Sequence, residues 1–238
     1  MSVLLMQLAG PVQSWGASAR FARRTTEPAP TKSGVIGLLA AALGRERSAD
    51  IADLAALRFG VRVDQRGIPV RDYQTAHQFL GGKSLPVSER FYLADAVFVA
   101  AVEGDAELID TLLGALRRPT FLPYLGRRSC APARPIDLGV SLDHTLEQCL
   151  AGEEWRASRW HQRRHRESLV QLEAFIEPSD TNGPVDSLRD QPLSFDPRHR
   201  RYRLRGIRRV PVTIPHPLRQ PMAAELPDHD PISVLGDA

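Results

Sequence analysis

Hydrophobic and polar positions along this chain fall into short runs of two periods. Residues 3 to 8 (VLLMQL) are apolar on both faces, as a covered central strand requires, and Gly10 and Pro11 end the run. After Thr31-Lys32-Ser33-Gly34, the residues Val35, Leu38, Leu39, Ala42 and Leu43 recur at helical spacing, with Gly44 as the stop. Residues 58 to 64 (RFGVRVD) alternate, placing Phe59, Val61 and Val63 on one face and Arg58 and Arg62 on the other. That pattern predicts a half-exposed strand with a basic face. IPVRDYQTA, after a Gln-Arg-Gly turn, predicts its partner strand, and residues 90 to 102 (RFYLADAVFVAAV) predict a second long strand. Paired glycines and a proline between them, in residues 77 to 89, mark a projecting hairpin or loop.

Asp105 to Arg117 predicts another helix, with Leu108, Ile109, Leu112, Leu113 and Leu116 on one face and Pro119 beyond its end. A strand near Ile136 to Val140 completes β-α-β-β-α-β, the ferredoxin-like arrangement also used by RNA-recognition motifs. Farther on, Ser168 to Glu177 and Arg201 to Ile214 alternate like strands, joined by a turn-rich connection from Pro178 to Pro197. The tail from Pro215 is proline-rich with acidic residues and is expected to be extended or disordered. The expected fold class is α+β. A ferredoxin-like palm would occupy residues 1–140 with a thumb at about 76–90, a strand-containing extension 141–214, and a flexible tail 215–238.

Composition narrows the function classes. A length of 238 residues with 42% apolar content suits one larger domain, or one domain with an appendage. No run of 18 apolar residues exists, and the first ten residues carry neither a basic segment nor a small-residue cleavage site. A cytoplasmic protein with no membrane partner is expected. Cys130 and Cys149 lack CxxC spacing and a nearby histidine pair, so they read as reduced structural thiols, with no metal or cofactor expected.

The net charge of +3 is modest, but 29 of the 31 basic residues are arginine. A codon bias accounts for the overall excess as well as function does. The clustering says more: Arg156, Arg159, Arg163, Arg164 and Arg166 share a segment with His161 and His165, and residues 198 to 209 (RHRRYRLRGIRR) hold seven more arginines. Arginine's planar fork binds phosphate and stacks on bases, which suits nucleic acid; protein docking and solvated surface are the competing readings. Backbone N–H groups at a helix start, beside Lys32, suit an anion too. A Walker loop is excluded, because Thr26 and Thr31 stand where its two glycines must be, so a polynucleotide phosphate is the anion left open.

LAGPVQSWG, PTKSGVIGLLAAALG, VRDYQTAH and PYLGRRSC, in that order and with FYLADAVFVA between the last two, resemble the CasD family. These are subunits of Cascade, the type I-E CRISPR RNA-guided surveillance complex. The motifs span roughly the first 140 residues, and the C-terminal third matches loosely. The resemblance implies an RNA-recognition-type palm and thumb that grip the 5′ handle of the CRISPR RNA at the end of a backbone of related subunits. Implied partners are the CRISPR RNA, the Cascade backbone subunit, the Cascade large subunit and, indirectly, target DNA.

Candidate contacts follow from the matched motifs. Thr31, Lys32 and Ser33 would touch phosphate or orient the glycine-rich turn that does, with RNA contact favoured at Lys32 and helix capping at Ser33. Gln13 and Ser14 can reach bases or phosphate; Trp15 is a stacking candidate, although burial is the commoner fate of tryptophan. Arg20, Arg23 and Arg24 are phosphate candidates. Tyr124 offers a ring, with core packing as its rival role, and Arg127 and Arg128 offer two forks. Tyr73, Gln74, Thr75 and Arg90 flank the thumb, and His77 and Lys83 lie on it. The alternative function is a metal-independent endoribonuclease using Tyr73, His77 and Lys83 as base, acid and cation. The lysine-histidine pairing expected of cleaving relatives is absent, and a separate endoribonuclease serves type I-E systems. A scaffold without RNA is disfavoured by the basic strand face and the glycine-arginine loops.

Overall fold

A computed structural model describes residues 1–17, 23–78, 81–82, 84–180 and 185–219. Along them run β1 (Ser2–Ala9), β2 (Val12–Gln13), β3 (Arg23–Arg24), α1 (Lys32–Ala42), α2 (Ala52–Ala56), β4 (Arg58–Gln65), β5 (Ile68–Gln74), β6 (Ser88–Ala94) and β7 (Val97–Gly104). There follow α3 (Ala106–Arg117), β8 (Asp137–Ser141), α4 (Leu146–Gly152), α5 (Arg159–Arg164), β9 (Leu169–Ile176), β10 (Asp186–Ser194) and β11 (Arg201–Pro215). A seven-stranded antiparallel sheet has the order β10-β11-β9-β4-β7-β1-β8. Its β8-β1-β7-β4 portion, with α1 and α3, is the ferredoxin-like β-α-β-β-α-β unit, and the fold is α+β.

Both faces of this sheet are covered, which is why β1 is buried along its whole length. Leu4, Met6 and Leu8 of β1, Phe59, Val61 and Val63 of β4, and Phe98, Ala100 and Val102 of β7 pack under α1 and α3. On the opposite face Val3, Leu5, Val99 and Ala101 meet Leu146 and Leu150 of α4 and the buried Trp155. RNA-recognition motifs stack bases on that second face. Here a second core occupies it.

The basic strand face expected at β4 is therefore corrected. Arg62 is fully buried, bonded to both oxygens of Asp64 (2.7 and 2.9 Å) and to the carbonyls of Leu150, Glu153 and Glu154. Burial pushes the Asp64 carboxyl up, and the Arg62 guanidinium opposes that shift. Arg58 pairs with Glu103 and Glu147. These arginines tie α4 to the sheet.

The run 90–102 is also two strands, not one. Pairing of β4 with β7 reaches Gln65 and Val97, and pairing of β5 with β6 then starts at Ile68 and Ala94, in a second sheet. Between them Asp95 takes φ +54°, and a Cβ on Gly67 would meet the Ala94 carbonyl at 2.9 Å. The arm is the β5–β6 hairpin, its strands Ile68–Gln74 and Ser88–Ala94, with Tyr92 and Leu93 of β6 packed into the main core. IPVRDYQTA partners β6 rather than β4.

After residue 168 the strands widen the palm's own sheet through β9 on β4. The expected turn-rich connection contains β10, held on β11 with two register irregularities. Residues 220–238, most of the expected tail, lie outside the described residues. Among the described residues no helix is long and apolar enough to cross a membrane.

Candidate nucleic-acid interface

The mouth of α1 is closed from within. Thr31, in extended conformation, caps the helix by accepting from the Gly34 N–H at 3.3 Å, so the cap is Thr31 and not Ser33. The Lys32 N–H donates to Asp190 Oδ2 at 2.8 Å, and Asp190 is also held by Arg205 through Nε and Nη2 at 2.8 and 2.7 Å. A protein carboxylate thus fills the anion site that a helix N-terminus offers. Lys32 is 2% exposed, with Nζ 3.0 Å from Glu177 Oε2. Burial pulls its pKa down, and Glu177 opposes the shift. Thr31, Lys32 and Ser33 are all buried, so the phosphate contact expected at Lys32 is corrected to an internal ion pair.

Gln13 and Trp15 are likewise structural. Gln13 is fully buried, donating to the Leu8 and Ala96 carbonyls (3.0 and 2.8 Å) and accepting from the Trp15 indole N–H at 3.1 Å. Trp15 has no exposed surface, and a Cβ on Gly34 would lie 2.7 Å from its ring. No face is left for a base. Ser14 is buried and donates to the Phe91 carbonyl at 3.0 Å.

These buried residues bring the exposed ones together. The Ser14 N–H donates to Leu125 O, and the Trp15 N–H to Thr26 Oγ1 at 2.8 Å, which joins the first loop to residues 23–27 and to 124–130. Gly126, at φ +84°, passes so close that any Cβ would strike the Ser14 carbonyl. In the second sheet β6 is central, with β5 on one edge and β2 and β3 on the other. Arg23 and Arg24 lie beside Glu89 and Arg90.

Aromatic residues of β6 support these cations. The Arg23 guanidinium lies 5.4 Å from the Phe91 ring centroid, and that of Arg127 lies 4.7 Å from Tyr92. Arg127 Nη2 donates to the Arg24 carbonyl at 2.8 Å, while its Nη1 is buried without a partner. Arg128, Arg23 and Arg24 are exposed, and Arg90 and Tyr124 are half-buried. On β5, Tyr73 is 54% exposed with Arg71 5.1 Å from its centroid, and Gln74 donates to Asp72 at 2.6 Å. Thr75 and His77 are exposed at the end of β5, His77 Nδ1 lying 3.1 Å from Ser84 Oγ.

So Arg23 and Arg24 flank Glu89 and Arg90 in the outer half of the β5–β6 hairpin, level with Tyr73 and Asp72 on the other edge. Arg127 joins them through the Arg24 carbonyl, with exposed Arg128 next to it in the chain, and Arg23 and Arg127 rest on opposite faces of β6. Arg20 and Lys83 lie outside the described residues. No group of acidic, histidine or cysteine side chains that could hold a metal occurs among the described residues. Sequence reasoning missed Phe91 and Tyr92 as arginine supports, although their strand alternation was readable. It also missed Glu177 and Asp190, which lie 145 and 158 positions from Lys32.

Some arginines of the strips farther along are committed to protein. Arg205 is buried on Asp190, Arg208 pairs with Asp180, Arg209 with Glu173 and Arg156 with Glu153. Their ion pairs bind strands and loops to one another.

Known proteins resemble this chain in sequence and fold. The Escherichia coli (strain K12) CRISPR system Cascade subunit CasD is 38% identical over 160 residues, covering 58% of this chain and 71% of that one. A solved chain described as a Cas protein is 35% identical at a TM-score of 0.66, covering 90% of this chain and 95% of that one. Another, from a CRISPR RNA-guided surveillance complex, is 33% identical at a TM-score of 0.68, covering 90% and 91%. The model of the CRISPR-associated Cas5 proteins matches residues 3–210, a span holding the whole palm, the arm and β9 to most of β11. With that span matched, this chain belongs to the CRISPR-associated Cas5 family.

Proposed function

We propose that this chain is the RNA-binding, non-catalytic subunit of a type I-E Cascade complex, holding the 5′ handle of the CRISPR RNA and capping the complex's backbone in antiviral defence. The observation that carries this reading is the set of arginines gathered around the outer half of β6 by β3 and the Gly126 turn, Arg23, Arg24, Arg90 and Arg127, with Arg128 exposed next to Arg127. Arginine forks held by cation–π contacts and backbone bonds are pre-organised for phosphate. Exposed Val70, Leu85 and Val87 leave apolar side chains on the arm for the adjacent backbone subunit. The large subunit is the further neighbour, target DNA is met only through the assembled complex, and the location is cytoplasmic. Tyr73 and His77 serve grip rather than chemistry.

Co-expression of the full chain with a repeat array, nuclease digestion and sequencing of the protected RNA tests this. Recovery of the 5′ handle as the protected fragment is expected. Recovery of no RNA above a control protein would overturn it.

A further inference from the structure

A second cluster lies where the arm leaves the main sheet, beside β5 and so across β6 from the arginines of β3. A cavity of about 330 Å³ opens there between Arg66 and Ile68 of the hinge and Trp160, His161, Arg164 and His165 of α5 and its cap. That volume is at the lower end of the ~300–1,000 Å³ typical of small-ligand sites. Trp160 is half exposed, and the Arg164 guanidinium lies 5.9 Å from its centroid. The rings of His161 and His165 are 4.8 Å apart.

The pocket is built, not incidental. Buried Trp155 meets both imidazoles edge-on at 5.8 and 4.9 Å and fixes the floor. Gln65 locks the hinge to the α5 segment, donating to the Asp95 carbonyl at 2.6 Å and accepting from the Ser158 N–H and hydroxyl at 3.0 and 2.7 Å. Arg164 has no carboxylate partner among the described residues. Asp95 is the one acidic side chain in the wall, and the exposed Arg66 guanidinium pairs through Nη2 with Glu173 at 2.9 Å.

A half-exposed indole with a guanidinium over it that has no carboxylate partner among the described residues, and two imidazoles on a fixed floor, match a nucleobase with its phosphate. We infer that this hinge pocket takes one unpaired nucleotide of the bound RNA, its base stacked on Trp160 and its phosphate held by Arg164 and Arg66. The inference rests on the RNA-binding reading above. From Arg90 to Asp95 along β6 is about 17 Å at ~3.3 Å per residue, so one strand of a few nucleotides reaches both sites.

Photo-crosslinking of thiouridine-substituted handle RNA to the full chain, with adducts mapped by mass spectrometry, tests it. Adducts are expected in residues 159–165 as well as on β3 and β6. Trp160→Ala, at a half-exposed site, should remove the first set and weaken binding about 5- to 150-fold, the ~1–3 kcal/mol of one base–aromatic stack. Arg164→Glu, on the surface, should do the same with unchanged thermal unfolding. Adducts on β3 and β6 alone, with both variants binding normally, would overturn the pocket and leave the proposed function standing. No adducts anywhere would overturn both. Protection of Trp160 in the assembled complex by a neighbouring subunit, without an RNA adduct, would assign the pocket to protein instead.

Discussion

Replacing Lys32 by methionine separates a structural lysine from a phosphate-binding one. Methionine keeps the buried stem filled, so little cavity term arises, and the loss is the bond to Glu177 at 3.0 Å. A charge-assisted hydrogen bond is worth ~1.5–3 kcal/mol. Two features of the site reduce that figure. Burial has already lowered the Lys32 pKa, so removing the ammonium relieves a desolvation cost. Glu177 is 24% exposed and accepts from the Phe59 N–H at 3.2 Å, so it is not stranded. The expected net loss is about 1–2 kcal/mol, or ~2–8 °C in Tm for a chain of this size. Handle RNA affinity and its salt dependence should not change. Calorimetry and filter binding on one preparation measure both quantities, and Glu177→Gln added to Lys32→Met should restore part of the stability. Unchanged Tm with a tenfold weaker, less salt-dependent RNA complex would refute the buried ion pair.

Further outcomes follow from other sites. Gly126→Ala forces a side chain against the Ser14 carbonyl at φ +84°, and should cost at least ~3 kcal/mol in denaturant unfolding while releasing Arg127 from the Arg24 carbonyl. Arg58 holds the Glu147 carboxyl below the usual range, so the pair's stabilisation is complete above about pH 4.3 and is lost as pH falls toward the lowered folded value. Glu147→Gln should therefore flatten the acid limb of stability without altering RNA binding at neutral pH. Deleting residues 76–87 with a short turn joining β5 to β6 should leave the far-ultraviolet circular dichroism of the main sheet intact and abolish co-purification with the backbone subunit. Cognate repeat RNA incubated with the full chain should stay uncleaved while shifting on a native gel; cleavage lost in His77→Ala would instead establish the nuclease reading.

The palm was legible because its elements carry local signals. β1, α1 and α3 have periodicity and stops in the sequence itself, and the observed α3 starts one residue after its Asp105 cap. Strand β4 was legible as a strand but not as a buried one, since alternation reports two unlike faces without saying what covers the second. Arg62 looks solvent-facing until α4 and the residues just after it deliver three carbonyls, those of Leu150, Glu153 and Glu154. The hinge at Asp95 was hidden because the run 90–102 is apolar on both sides of that single charged residue, and only a backbone change of direction there separates β6 from β7. Lys32 failed as a phosphate ligand for a related reason. Its counter-ions come from strands at the far end of the chain, and local sequence carries no record of a partner 145 residues away. The glycine-arginine turn was readable as a close-approach site, whereas its contact with β3 through Arg127 depends on tertiary convergence.

The central claim is that the arginines around the outer half of β6 neutralise RNA phosphates, and the salt dependence of handle RNA binding tests it most directly. Each phosphate contact on a single strand contributes about 0.7 to the slope of log affinity against log salt. Arg23→Ala, Arg24→Ala, Arg90→Ala and Arg128→Ala combined should lower that slope by up to about 2.8. The parent slope and affinity retained in the quadruple variant, with its fold intact, would contradict the account.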